Sequence, residues 1–126
     1  MDGDITAYIP AYLEMFTHLC ALTAELMPGS KRTQIGSKMV EYRRPDKQFV
    51  LIGMNFAIER KPVVIASVLE ATAIRLGLSA GSTSLSVDGT ALRVRVTHLG
   101  LKVMISFEVD DLGACEDALR LIVGAM

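Results

Sequence analysis

The stretch from Ala91 to Val109 alternates apolar and polar residues, and this pattern constrains the fold more than any other part of the chain. A period of two is typical of strands with one face buried, so the stretch predicts two antiparallel strands that meet at Leu99-Gly100. Asp88-Gly89 suits the positive φ angles of a two-residue hairpin turn, which adds a third strand through Leu85 and Val87. The inward side chains predicted for the last two strands are Leu92, Val94, Val96, Leu101, Val103, Ile105, Phe107 and Val109.

The first part of the chain, from Asp4 to Met27, has helical spacing with Pro10 in the first turn. Its apolar residues form two stripes, and one face of a sheet cannot cover both. We therefore predict a homodimer in which one stripe faces a second copy of the chain. The candidate interface stripe is Tyr12, Met15, Leu19, Leu22 and Leu26, and the other stripe is Ile9, Leu13, Phe16, Cys20 and Met27.

The middle of the chain predicts a hairpin and a second helix. Strands over Thr33–Arg43 and Gln48–Ile58 flank a turn at Arg44–Lys47, where Pro45 presets φ. The consecutive apolar residues Phe49–Ile52 are typical of a strand covered on both faces. Helical spacing then runs from Lys61-Pro62 to about Leu76, with Gly77 as its end, and its predicted inward residues are Val64, Ile65, Val68, Leu69, Thr72 and Leu76.

These segments predict a single α+β domain over residues 1–126, with a five-stranded antiparallel sheet and helices on both faces. The predicted order is helix-strand-strand-helix-strand-strand-strand-helix, and Asp110 and Asp111 provide negative charge and a cap at the start of the last helix. Cys115, Leu119 and Ile122 lie on that helix's predicted buried stripe.

Composition excludes several classes of protein. Thirteen Lys and Arg face 14 Asp and Glu, so the chain as a whole lacks the basic charge of a nucleic-acid binder. A hydrophobic content of 51% excludes intrinsic disorder. With no Lys or Arg before Lys31 and no apolar run long enough to span a bilayer, we expect a cytoplasmic protein without a membrane span.

The residues capable of chemistry predict no catalytic, cofactor or metal site. Cys20 and Cys115 lie on apolar stripes, and nothing in the spacing gives His18 or His98 a partner. The glycines of Gly77–Thr83 are followed by a strand rather than a helix, so they do not form a phosphate loop. The acidic residues near the last helix fit capping better than a metal site, and they are Glu108, Asp110, Asp111, Glu116 and Asp117.

Basic residues are concentrated between Lys31 and Lys61, which hold eight of the 13. Arg43, Arg44 and Lys47 crowd the first hairpin turn and are the candidate contacts to a protein partner with an acidic surface. The alternative is a solvated hairpin whose charges only maintain solubility.

The second half of the chain resembles the roadblock/dynein light chain family. The features that carry the resemblance are a helix ending at Leu76-Gly77, Asp88-Gly89, the strands around Val94 and Ile105, and Asp111–Gly113 before a helix. The resemblance implies a small dimeric adaptor or regulator that binds another protein, such as a Ras-like GTPase, without catalytic residues.

Two other functions are open at this point. The first is a small enzyme or ligand-binding protein with a pocket between the first helix and the sheet, which would melt at a higher temperature with its ligand. The second is a secretion chaperone, which would co-purify with an effector, although the usual strongly acidic balance is missing.

Overall fold

A computed structural model describes residues 10–36, 38–54 and 61–126. The helices are α1 (Pro10–Leu26), α2 (Glu70–Arg75) and α3 (Leu112–Ala125). The strands are β1 (Lys31–Gln34), β2 (Met39–Arg43), β3 (Phe49–Met54), β4 (Pro62–Leu69), β5 (Ser84–Val87), β6 (Thr90–Arg93), β7 (Arg95–Leu99) and β8 (Lys102–Glu108).

The main sheet has six antiparallel strands in the order β1-β2-β3-β4-β8-β7, and β5 pairs only with β6. One face of the main sheet, here called the inner face, packs with helices α1 and α3 in the hydrophobic core. Alternate residues of the central strands point to this face and are buried there. They are Val40, Tyr42, Val50, Ile52, Val64, Ala66, Val68, Val103, Ile105 and Phe107.

The predicted five-stranded sheet with helices on both faces is wrong. The largest error lies in residues 61–76, where most of the predicted helix is strand β4 and only Glu70–Arg75 is helical. Val63, Val64, Ile65 and Val68 are β-branched, and such side chains fit a pleated surface better than a helix. Pro62 is the first residue of the strand, where a missing N–H is tolerated.

Other differences add strands at both ends of the sheet. The predicted strand over Thr33–Arg43 is a hairpin, β1 and β2, that turns near Gly36, whose φ is +66°. The alternating stretch after Asp88-Gly89 is divided at Val94 into β6 and β7, which belong to different sheets. Part of the predicted strand over Gln48–Ile58 lies outside the described residues, as does Ile9.

Several local predictions are confirmed. Asp88 and Gly89 have φ angles of +49° and +80° and join β5 to β6, with Leu85 opposite Leu92. Asp111 caps α3 by accepting hydrogen bonds from the N–H groups of Gly113 and Ala114. Among the described residues, no helix is long and apolar enough to cross a membrane.

Candidate functional site

The face of the main sheet opposite the helices, here called the outer face, is apolar in its centre. Neighbouring strands bring together Phe49 and Leu51 of β3, Val63 and Ile65 of β4, and Met104 of β8. All five side chains are partly exposed, and none belongs to the hydrophobic core or packs against it. Among the described residues, no helix covers this centre.

The apolar centre continues to two opposite corners of the sheet as a diagonal band. At one corner, Met39 of β2 lies near Ile35, which is 39% exposed and donates its N–H to the Met39 carbonyl. At the other corner, Leu69 and Leu99 flank Lys102 on neighbouring strands and are 39% and 55% exposed. An apolar surface of this extent is typical of an interaction site.

Charged side chains border the outer face along both edges. On β2, Arg43 lies over the Phe49 ring, 4.6 Å from its centroid, and forms a 2.8 Å ion pair with Glu41. On the opposite edge, Arg95 of β7 lies opposite Ser106, whereas Lys102 of β8 lies between Leu69 and Leu99 at one end of the band. The apolar band therefore runs between two margins that both carry cations.

The three predicted partner-binding residues differ in their surroundings. Arg43 and Arg44 are paired inside their own hairpin, with Glu41 at 2.8 Å and Asp46 at 3.2 Å. Burial opposes ionisation of Asp46, but hydrogen bonds from Gln48 and the charge of Arg44 outweigh it and lower the pKa of the carboxyl. Lys47 is exposed in the turn at a φ of +69°.

The predicted dimer stripe of α1 lies largely inside the monomer. Leu19 and Leu22 belong to the core, and Met15 and Leu26 pack against it, while Tyr12 is partly exposed. Residues of both stripes of α1 have intramolecular contacts, because α1 packs against α3 and also against the sheet. The exposed strip between them contains Glu14, Thr17, His18, Ala21 and Glu25.

A cleft in the described part of the chain lies away from the position predicted for a ligand pocket. It has a volume of about 920 Å³ and opens between β6, β7, the end of β8 and the start of α3, rather than between α1 and the sheet. Its wall mixes the cations Arg93 and Arg95 with Glu108, Asp110 and Asp111. Asp111 caps α3 and Asp110 pairs with Lys61, so these carboxylates already serve structural contacts.

The two thiols have raised pKa values, and one imidazole contacts a carboxylate. Burial raises the pKa of the Cys115 thiol to about 11, and burial also raises the pKa of Cys20. His18 Nε2 lies 2.9 Å from a Glu116 carboxylate oxygen and connects α1 to α3. In the described ranges, no group of three or more His, Cys, Asp or Glu side chains is placed to hold a metal ion.

Sequence reasoning missed the outer face as a site, although one signal pointed to it. The consecutive apolar residues of Phe49–Ile52 predicted a strand covered on both faces, and Val63–Ile65 has the same character. Within the described residues, only the inner side of these strands is covered. Their outer side chains are left available to another molecule.

Comparison with known proteins gave no match: no family model fits the chain, and no curated protein or solved structure is significantly similar to it.

Proposed function

We propose that this chain is a small homodimeric adaptor that binds another protein through the outer face of its six-stranded sheet. The observation that supports the proposal most strongly is the apolar centre of that face, formed by strands whose side chains are apolar on both sides. Interfaces with an apolar core and a polar rim are typical of protein recognition. A Ras-like GTPase is the partner class that the roadblock resemblance implies.

Capture of a partner from native lysate, followed by mass spectrometry, tests the binding half of the proposal. We expect Ile65→Ser to lose the captured partner, because it removes an apolar side chain from the centre of the outer face. Leu121→Ser is the matched control, since Leu121 is 41% exposed on α3 and lies off the sheet. Equal capture by both variants would contradict binding through the outer face.

The dimer half of the proposal rests on α1 and is tested separately. The members of its predicted stripe that keep some exposure are Tyr12, Met15 and Leu26. We expect light scattering at tens of micromolar to give twice the chain mass of 13.7 kDa. A monomeric mass at that concentration would show that the dimer does not form.

A further inference from the structure

We infer that the outer face binds an amphipathic helix of the partner, with apolar residues along one side and carboxylates flanking them. This inference rests on the proposed function and names the chemistry of the partner. It follows from the shape of the apolar band, the charges beside it and the hydrogen-bonding needs of a bound backbone.

The charges of the outer face favour an acidic partner. Its described positions carry the cations Lys31, Arg43, Arg95 and Lys102 and the carboxylates Glu41 and Glu108, whereas the whole chain has a net charge of −1. Glu41 is already paired with Arg43. Placing the same face of a second copy against this one would bring like charges together, but carboxylates of a partner would meet cations at both margins.

The dimensions of the band fit a helix of moderate length. From Met39 to Leu99 the band crosses four strand spacings and three steps of two residues. With strands about 4.8 Å apart and a rise of about 3.3 Å per residue, the diagonal is on the order of 28 Å. A helix of about 18 residues has that length at a rise of about 1.5 Å per residue.

A helix also suits this face better than an extended segment does. A strand lying on the face of a sheet would bury backbone N–H and C=O groups without partners, since the strands beneath it already pair with one another. A helix satisfies its own backbone groups and presents only side chains. Apolar residues at spacings of three and four would lie over Leu51, Ile65 and Met104, with acidic residues on either side.

Two synthetic peptides of 18 residues test the inference. Both carry Leu at the same helical spacing, and the remaining positions are mainly Glu in one peptide and mainly Lys in the other. Fluorescence anisotropy measures their binding to the full chain at low and high salt. We expect the Glu peptide to bind at least about tenfold more tightly at low salt, with the difference shrinking as salt screens the charges.

Variants locate the binding on the chain. Arg95→Glu and Leu99→Ser should each weaken binding of the Glu peptide several-fold, because they remove a cation and an exposed apolar contact from the outer face. The matched controls Arg120→Glu and Leu121→Ser make the same changes on α3 and should leave affinity within about twofold. Unfolding midpoints of all four variants show whether each remains folded.

The inference is overturned if neither peptide binds, if both bind equally, or if the α3 controls weaken binding as much as the outer-face variants do. These results leave the proposed function to its own test. A captured partner that is lost with Ile65→Ser but whose binding strengthens with Arg95→Glu would keep the outer face as the binding site and reject an acidic partner.

Discussion

The two faces of the main sheet are built from the same strands and contain similar apolar side chains, yet the described part of the chain covers only one of them. On β3, Ile52 of the inner face is fully buried, while its neighbour Leu51 of the outer face is partly exposed. On β4, Val64 and Ile65 show the same difference. The inner face therefore stabilises the fold, and the outer face keeps apolar surface that can be buried on binding.

The largest effect on stability should come from truncating an isoleucine of the inner face, compared with truncating an isoleucine of the outer face. We expect Ile52→Ala to lower the free energy of unfolding by about 2–5 kcal/mol, because it leaves a cavity in the core. Ile65→Ala should cost only about 1 kcal/mol, since its side chain is already partly exposed. Denaturant unfolding measures both, and equal losses would show that the outer face is covered within the chain.

The second effect concerns pH and the buried thiol of α3. Cys115 is 1% exposed, and its raised pKa means that the native state holds the thiol proton more tightly than the unfolded chain does. The stabilisation of the native state that results from this difference in pKa is complete below pH 9 and is lost as pH rises through about 11. At about 1.4 kcal/mol per pKa unit, the loss of stability above that range is about 2–3 kcal/mol.

Cys115→Ala is the control for that pH dependence. It should cost about 1–3 kcal/mol near neutral pH through lost packing and should lose less further stability between pH 9 and pH 11 than the wild type. An identical alkaline decline in both proteins would assign the effect to other groups. Partner binding in the folded fraction should be unchanged, because Cys115 lies in the core rather than on the outer face.

The next effect concerns the buried side chain of Gln48, which hydrogen-bonds to three other residues. Gln48 Oε1 accepts hydrogen bonds from the Leu69 N–H at 3.0 Å and from Thr72 Oγ1 at 2.7 Å, and its amide donates to Asp46 at 2.9 Å. Gln48→Ala leaves these donors without a partner and should cost about 2 kcal/mol.

Thr72→Val is the milder companion to Gln48→Ala. It removes one donor to Gln48 and keeps the bond from Leu69, so it should cost about 1 kcal/mol. Denaturant unfolding compares the two variants. If Thr72→Val were the more damaging change, Gln48 would not be the centre of this network.

Local sequence signals predicted the turn and the helix cap correctly. They failed where contacts between residues distant in sequence determine the structure. Asp88-Gly89 and Asp111 act through their own backbone geometry and hydrogen bonds, so neighbouring residues suffice to predict them. Residues 63–69 are apolar apart from Ser67, so their pattern fits a helix as well as a strand, and pairing with β3 and β8 makes them a strand. Spacing alone also could not show that α3 packs beside α1 or that no helix in the described part of the chain covers the outer face.

The smallest effect on stability is expected at Lys47, which is the exposed member of the group Arg43, Arg44 and Lys47, here called the basic turn. Lys47→Glu should change the free energy of unfolding by less than about 0.5 kcal/mol, because Lys47 is exposed. Arg43→Glu should cost more, since it breaks an ion pair and the contact with Phe49. Unfolding of the single variants checks this order.

Binding measurements on the same two variants test whether the basic turn contacts the partner. If the turn contacts an acidic partner, Lys47→Glu should slow association several-fold at low salt while leaving the fold intact. Arg43→Glu should weaken binding further, because Arg43 borders the outer face as well as the turn. Rate measurements across a salt series separate the two positions. Equal rates and equal salt dependence for wild type and Lys47→Glu would confine binding to the outer face and leave Lys47 as a solvated side chain.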